Sequence, residues 1–172
     1  MSNLNQPADS DFGENFSLCN IDEACVIRSD KRSERKKIVL TNGCFDLLHV
    51  GHVYALQEAS RFGDELWVAL NSDSSVKKLK GTNRPIYPEK QRAFMLLALS
   101  CVDLVFLFNG KNLSSEINLL QPDVYVKSGD YDLQSLNPQE KAALELSGSR
   151  IEFVSYLNGL STSETIAKIG SS

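Results

Sequence analysis

The chain has 172 residues, of which 42% are hydrophobic, so it can bury one substantial core, and its length predicts a single domain. A formal net charge of -4 and a pI near 5.2 provide no basic stripe, and they argue against a nucleic-acid partner. No apolar run approaches the roughly 18 residues of a membrane span, and the four cysteines lack disulfide or metal-ligand spacing, so we expect a cytoplasmic protein with free thiols and no membrane partner.

The N-terminal region divides into two parts. Residues 1–16 are rich in Asn, Asp and Ser and poor in apolar side chains, so burial could not offset the entropy lost on ordering, and we predict a flexible tail. The segment 17–36 is predicted to carry a lead-in helix over about 21–34, because Asn20 and Glu23 have capping-box spacing and the run ends in basic residues.

A strand, a tight turn and a helix are predicted next. Apolar residues over about 37–42 indicate a buried strand, a glycine-bearing turn follows, and apolar residues at helical spacing predict a helix to about residue 62. The two histidines of the chain, His49 and His52, are three residues apart at the start of this helix, so they share one face of its first turn.

This helix start has the properties of a phosphate site. A helix N-terminus presents unpaired N–H groups and the positive end of the helix dipole, and Gly43 and Gly51 allow an anion to approach the backbone closely. Two imidazoles at this point can stabilise negative charge that grows during a reaction. Their coincidence with Asp46 favours a functional site over ordinary surface or core histidines.

A second buried strand, at 65–71, completes a β-α-β unit. Asn71 and Asp73 lie at its carboxyl end. Residues 77–85 form a basic run punctuated by Gly and Pro, which is either a solvated loop or a segment that closes over a phosphate. Lys80 is the residue of that segment that we expect to reach a phosphate.

Alternating helices and strands fill the remainder of the chain. Their predicted ranges are a helix from Pro88 through 92–99, a strand at 102–108, a helix at 113–120, a strand at 124–126, a helix at 138–146, a strand at 151–154 and a helix at 163–169. This alternation predicts a single Rossmann-like α/β domain with a mostly parallel sheet, helices on both faces, and ligands at the carboxyl ends of the strands.

Two later segments bring polar groups to such ends. Lys127, Gly129 and Asp130 leave the fourth predicted strand together, and we expect them to contact the ligand rather than to form an isolated turn. Ser161 and Thr162 precede the last predicted helix, where a hydroxyl can cap the helix and a phosphate can use the same N–H groups.

The run Gly-x-Phe-Asp-x-x-His-x-Gly-His resembles the signature of the cytidylyltransferase-like nucleotidyltransferases. The later motifs Leu-Lys-Gly, Arg-Pro-Ile, Val-Lys-x-Gly-Asp-Tyr and Ser-Thr-Ser are most similar to the adenylyltransferase domain of bifunctional heptose-phosphate kinase/adenylyltransferases. The resemblance covers about residues 37–169 and predicts a nucleotidyltransferase domain over 37–172.

That family implies transfer of AMP from ATP, accompanied by Mg²⁺, to D-glycero-β-D-manno-heptose 1-phosphate. The products would be pyrophosphate and ADP-heptose for lipopolysaccharide synthesis. Because the kinase half lies outside this chain, we expect another protein to supply the sugar 1-phosphate. The family also implies a homo-oligomer, most simply a dimer.

The resemblance assigns roles to the residues named above. Catalysis falls to His49, His52 and Lys80, and binding of the acceptor phosphate falls to Arg84 and Lys127. The nucleotide is expected to contact a larger set, namely Asn42, Gly43, Cys44, Phe45, Asp46, Gly51, Asn71, Asp73, Arg92, Gly129, Asp130, Ser161 and Thr162. No metal is expected to be held by protein ligands alone.

Two alternatives stay open. A glycerol-3-phosphate cytidylyltransferase would use the same chemistry, although such enzymes normally have Arg-Thr-Glu-Gly where this chain has 156–159 and Gly-Asp-Asp-Trp where it has 129–132. A nucleotide-binding module without turnover would share the fold, although it would not need the histidine pair. Ser128 also departs from the adenylyltransferase pattern, which usually has glycine there.

Overall fold

The computed structural model describes residues 18–129 and 132–155 of the chain. Within those ranges one parallel sheet contains the strands β1 (Ile38–Gly43), β2 (Glu65–Asn71), β3 (Leu104–Phe108), β4 (Val124–Ser128) and β5 (Arg150–Val154). The helices are α1 (Ile21–Ser33), α2 (Val50–Ser60), α3 (Asp73–Lys80), α4 (Glu89–Leu97), α5 (Ser114–Leu120) and α6 (Pro138–Ser147). The prediction of a Rossmann-like α/β fold is confirmed.

The strand order is β3-β2-β1-β4-β5, so β1 lies at the centre of the sheet and the later strands lie on both sides of it. β1 pairs with β2 in a register that runs from Ile38 opposite Glu65 to Gly43 opposite Leu70. On its other side β1 pairs with β4. The order reverses between β1 and β4, and such a switch point opens a crevice at the carboxyl ends of the strands.

Successive strand side chains point to opposite faces of the sheet, and the central strands β1 and β2 are buried on both faces. Ile38, Leu40 and Trp67 pack with side chains of α1, α5 and α6 on one face. Val39 and Val68 pack with side chains of α2 and α4 on the other. This confirms the predicted placement of helices on both faces.

The lead-in helix begins where the capping pattern predicts. The Glu23 N–H donates to Asn20 Oδ1 at 3.0 Å, and the Asn20 N–H donates to Glu23 Oε2 at 2.9 Å. Two N–H groups at the helix start are thereby satisfied, so α1 starts at Ile21.

α3 corrects the interpretation of the basic segment, because its lysines form the end of a helix instead of a loop. Ser72 caps the helix, with Oγ accepting the Ser75 N–H at 3.2 Å. Lysines in the last turn complement the helix dipole. Gly81, at φ 95°, adopts a backbone conformation that suits glycine, and the helix ends there.

The predicted tail at 1–16, the predicted helix at 163–169 and the site residues Asp130, Ser161 and Thr162 lie outside the described residues. Among the helices that are described, none has both the length and the apolar character needed to cross a bilayer.

Candidate functional site

A cavity of about 520 Å³ opens at the carboxyl ends of β1, β2 and β4. The predicted site residues that line it are Asn42, Gly43, Cys44, Phe45, Asp46, His52, Asn71, Lys80 and Lys127. The sheet order brings them together, because these strands are neighbours and all point the same way. Other predicted residues, His49, Gly51, Asp73, Arg84, Arg92 and Gly129, are not among the lining residues.

The N-terminus of α2 reaches the site without a side-chain cap from any described residue. His49 occupies the N-cap position in an extended conformation, whereas α1, α3 and α6 begin with an Asn or Ser side chain that accepts a backbone N–H. Gly51 is buried in the first turn of α2. The positive end of α2 is therefore available to an external anion.

The two histidines stack on each other at this helix start. Their ring centroids are 3.8 Å apart with an interplanar angle of 27°, and the Phe45 ring meets His52 edge-on at 5.2 Å. Both Nδ1 atoms are buried and have no hydrogen-bond partner within the described part of the chain. Buried polar atoms of this kind normally have partners, so a ligand phosphate is a natural candidate.

Burial at the helix start disfavours protonation of the two rings. Burial, then His49 and Lys80, lower the pKa of His52 from 6.5 to about 4, although a hydrogen bond to the Leu47 backbone opposes the shift. Burial also lowers the pKa of His49. At neutral pH the His52 ring is therefore uncharged and carries a single N–H, which it donates to the Leu47 carbonyl in this structure.

The turn before α2 holds Phe45 against the histidines. Phe45 has a φ of 44°, in the left-handed region that few non-glycine residues occupy. A Cβ at position 43 would lie 2.9 Å from the Phe45 ring, so a side chain there would displace that ring. The turn is thus shaped around the packing of Phe45 on His52.

Asp46 connects this turn to the loop between α3 and α4. Its Oδ1 accepts the Ile86 N–H at 2.6 Å and the Tyr87 N–H at 3.3 Å, while Oδ2 pairs with Arg84 Nε at 2.5 Å. Asp46 and Arg84 were both predicted to contact substrates. In this structure they neutralise each other at the rim of the site.

Arg92 is fully buried, and its donors are used inside the protein. Nε donates to the Tyr87 carbonyl at 2.9 Å, and Nη2 donates to the Asn71 carbonyl and to Asp73 Oδ1, both at 2.8 Å. Nη1 donates to the Cys44 carbonyl. The predicted nucleotide contacts of Arg92 and Asp73 stay predictions, and the geometry indicates a positioning role for both.

Cys44 and Asn71 are likewise bonded to their surroundings. The Cys44 thiol donates to Asn71 Oδ1 at 3.6 Å, and Asn71 Nδ2 donates to Ser75 Oγ at 2.9 Å. Burial raises the pKa of the Cys44 thiol, although the nearby Lys80 and Arg92 act in the opposite direction. The thiol is therefore neutral and behaves as a polar part of the wall.

The β4 side of the cavity contains a charged cluster that includes Lys127. Lys127 Nζ donates to Asn42 Oδ1 at 3.0 Å and to the Tyr125 hydroxyl at 3.1 Å, and it lies 3.5 Å from Glu140 Oε2. Sequence reasoning missed Tyr125 and Glu140. Tyr125 lies in a strand whose sequence is otherwise mostly apolar, and Glu140 is one of two glutamates on α6, so neither stood out in the sequence.

A glycine follows each of the two elements that carry the lysines beside the cavity. Lys80 lines the cavity at the last residue of α3, directly before Gly81. Gly129 follows β4 with φ 122°, and its N–H donates to the Val154 carbonyl at 2.9 Å. Lys80 and Lys127 thus approach the cavity from α3 and from β4 respectively.

This arrangement, a parallel-sheet switch point with an uncapped helix start and lysines beside it, is typical of the nucleotide-handling Rossmann-like class. Residues 40–166 match the family model described as cytidylyltransferase-like. The chain therefore belongs to the cytidylyltransferase-like family of nucleotidyltransferases.

The chain is similar to curated proteins named bifunctional protein HldE. It is 47% identical over 150 residues to the one from Geotalea uraniireducens, which covers 87% of this chain and 30% of that protein. It is 44% identical over 164 residues to the one from Geobacter metallireducens, with 95% and 32% covered. The chain thus spans about a third of the length of these relatives.

Solved structures agree with the fold. The lipopolysaccharide core biosynthesis protein from Thermoplasma volcanium GSS1 gives a TM-score of 0.57 at 26% identity, covering 71% of this chain and 97% of that chain. Pantoate-beta-alanine ligase from Francisella tularensis gives 0.53 at 14% identity, covering 91% of this chain and 79% of that chain. The second likeness concerns the fold alone.

Proposed function

We propose that this chain transfers the adenylyl group of ATP to a sugar 1-phosphate, with D-glycero-β-D-manno-heptose 1-phosphate as the first candidate acceptor. The observation that carries the proposal is that His52, stacked on His49 at the uncapped start of α2, lines the same cavity as two lysines. The choice of base and acceptor draws on the similarity to HldE proteins and on the motifs that resemble heptose-phosphate adenylyltransferases.

The reaction is a direct displacement at the α-phosphorus. An oxygen of the acceptor phosphate forms a bond to the α-phosphorus, the bond from that phosphorus to the oxygen bridging to the β-phosphorus breaks, and pyrophosphate leaves with the electron pair. The protein's contribution to such a transfer is positioning and electrostatic stabilisation, without a covalent intermediate.

The chain's residues divide this work between the two phosphates. His49 donates an N–H toward the α-phosphate as its charge rises, and His52 does the same by exchanging its hydrogen bond to the Leu47 backbone for one to the phosphate. Lys80 serves the triphosphate from the end of α3, and Lys127 serves the acceptor phosphate from the end of β4. Two anions brought together around one helix start repel each other, so a cation on each side lowers the cost of their approach.

Mg²⁺ accompanies ATP in reactions of this kind and neutralises charge on the triphosphate and on the departing pyrophosphate. In the described part of the chain, no three His, Cys, Asp or Glu side chains are grouped to hold a metal ion. The nearby carboxylates of Asp46 and Asp73 are paired with Arg84 and Arg92. We propose that the lysines hold the phosphates to which such an ion would bind.

The test is a pyrophosphate-release assay that crosses ATP and CTP with heptose 1-phosphate, other hexose 1-phosphates and glycerol 3-phosphate. We expect release with ATP and heptose 1-phosphate and the matching ADP-sugar by mass spectrometry. CTP with glycerol 3-phosphate as the preferred pair would replace this proposal with the cytidylyltransferase alternative, and nucleotide binding without release under any pair would favour a non-catalytic module.

His52→Leu is the control for contaminating enzymes. Loss of one such donor typically lowers turnover about 10²- to 10³-fold. Release that is unchanged in a folded His52→Leu protein would show that the activity does not come from this site.

A further inference from the structure

Glu140, in the first turn of α6, is a buried carboxylate at the edge of the cavity. Its side chain is 4% exposed, and its Oε1 accepts the Leu113 N–H at 2.9 Å. Its Oε2 lies 3.4 Å from the Tyr125 hydroxyl and 3.5 Å from Lys127 Nζ. Both carboxylate oxygens are thus committed to identified partners, one of them a cation.

The cation is held from several sides. Besides Glu140, Lys127 Nζ donates to Asn42 Oδ1 and to the Tyr125 hydroxyl, and the same hydroxyl donates to Asn42 Oδ1 at 2.9 Å. The ammonium also lies 5.6 Å from the centre of the Tyr125 ring. A lysine normally has many rotamers, so this set of contacts fixes one direction of approach to the cavity.

A purely structural account of Glu140 is incomplete. Capping the Leu113 N–H needs one oxygen acceptor, and burying a full negative charge for that purpose alone is unfavourable. The charge is compensated only because a lysine shares the pocket. Lys127 and Glu140 both line the cavity, so the pair stands where a substrate anion would enter.

We infer that Glu140 is a positioning residue, which acts through Lys127 with the help of Tyr125 and sets the affinity for the acceptor phosphate. The inference rests on the proposed function for the identity of that anion. Glu140 itself does not touch the acceptor, since its carboxylate would repel it. Its contribution passes entirely through the position of the Lys127 ammonium.

A double-mutant cycle tests this route. Glu140→Gln removes the charge and keeps the shape, and Lys127→Met removes the cation and keeps most of the stem. We expect Glu140→Gln to raise KM for the sugar 1-phosphate roughly tenfold, within the range of coupling between residues of one hydrogen-bond network, with KM for ATP and kcat little changed. In the Lys127→Met background the same change should have almost no effect.

Two further variants keep the test decisive. Tyr125→Phe removes the shared hydroxyl and should give a smaller rise in the same KM, again only when Lys127 is present; it replaces Glu140→Gln if that variant fails to fold. Asp103→Asn is the matched control, because Asp103 Oδ2 accepts the Leu66 N–H at 2.7 Å at the amino end of the strands, away from the cavity. It should leave every KM unchanged.

The outcomes separate this inference from the proposed function. If Glu140→Gln changes KM equally with and without Lys127, or lowers it in both backgrounds, the carboxylate acts directly on the anion and the inference is overturned. If the wild type releases no pyrophosphate, the proposed function fails. The inference is then decided by calorimetric binding of inorganic phosphate to the wild type, Glu140→Gln, Lys127→Met and the double variant. It holds if Glu140→Gln weakens phosphate binding only when Lys127 is present.

Discussion

His52 is held in an environment that favours its neutral form, and this has a consequence for stability. Its pKa in the folded protein is about 4 against 6.5 as the reference value, so between those pH values the unfolded chain binds more protons than the folded one. Stability is therefore complete above about pH 6.5, falls as the pH drops toward 4 and levels off below it. The difference corresponds to at most about 3 kcal/mol.

We predict that His52→Leu reduces the acid sensitivity of folding. Urea denaturation at pH 7 and at pH 4.5 should show a larger loss of unfolding free energy in the wild type than in the variant. Because burial also lowers the pKa of His49, some loss remains in the variant. Equal losses in the two proteins would mean that His52 titrates normally in the folded state.

At the residue scale, the sequence predicted where the site residues lie better than it predicted which residues they bond to. Local spacing was sufficient to place His49 and His52 on one turn of a helix that starts at the site. It could not show that Asp46 would pair with Arg84, because that contact depends on how the loop after α3 folds back. Glu140 was missed for the same reason, since its partners lie on β4 and directly before α5.

At the scale of elements, α4 is tied to the site by Arg92. This single side chain donates to backbone carbonyls at the ends of β1 and β2 and at the loop before α4, and it pairs with the first residue of α3. It is the kind of buried, multiply bonded cation whose removal leaves several acceptors without donors.

We expect Arg92→Met to lower the free energy of unfolding by about 3 to 5 kcal/mol, as when one partner of a buried ion pair is removed. Arg61→Met is the control, because Arg61 is largely exposed in its pair with Glu58 and should change stability by no more than about 0.5 kcal/mol. Denaturant titrations of both variants measure this. If Arg92→Met changed the free energy of unfolding as little as Arg61→Met does, a structural role for Arg92 would be contradicted.

The missed helix α3 has a physical explanation. Its apolar residues are Val76, which is buried, and Leu79, which is nearly half exposed, so the apolar content of this stretch was too low to indicate a helix even though the two residues share one face. The end signals were nevertheless present in the sequence, with Ser72 as cap, Asp73 in the first turn and Gly81 as stop. Greater weight on those signals would have identified the helix and placed Lys80 at its end.

At the scale of the whole molecule, alternation of strands and helices was enough to predict the fold, because parallel strands need crossover helices and right-handed crossovers leave few topologies. The order β3-β2-β1-β4-β5 then brings β1, β2 and β4 together at one edge. The site forms at the reversal of that order, where residues from distant parts of the chain become neighbours. Loop conformations and side-chain pairings depend on the assembled fold, so they could not be predicted from local sequence patterns.

The last question at this scale is whether α1 belongs to the cooperative core, since the family match starts at residue 40, after this helix. Ala24 is fully buried in the core cluster shared with α5 and α6. Arg28 is 4% exposed, donates to the Leu120 and Gln121 carbonyls and pairs with Asp123 at 3.0 Å. The same Asp123 oxygen accepts the Ile38 N–H at 2.8 Å, which links α1 to the central strand.

We therefore predict that α1 unfolds together with the sheet. In native-state hydrogen exchange, the slowest amides of α1 and β1 should report the same opening free energy, and Arg28→Met should lower both by about 2 to 3 kcal/mol, since it leaves buried acceptors without a charged donor. Lys36→Met, at an exposed position just after α1, should leave both unchanged. If α1 amides exchanged much faster than those of β1, and Arg28→Met affected α1 alone, the helix would be an appendage to an independently stable domain.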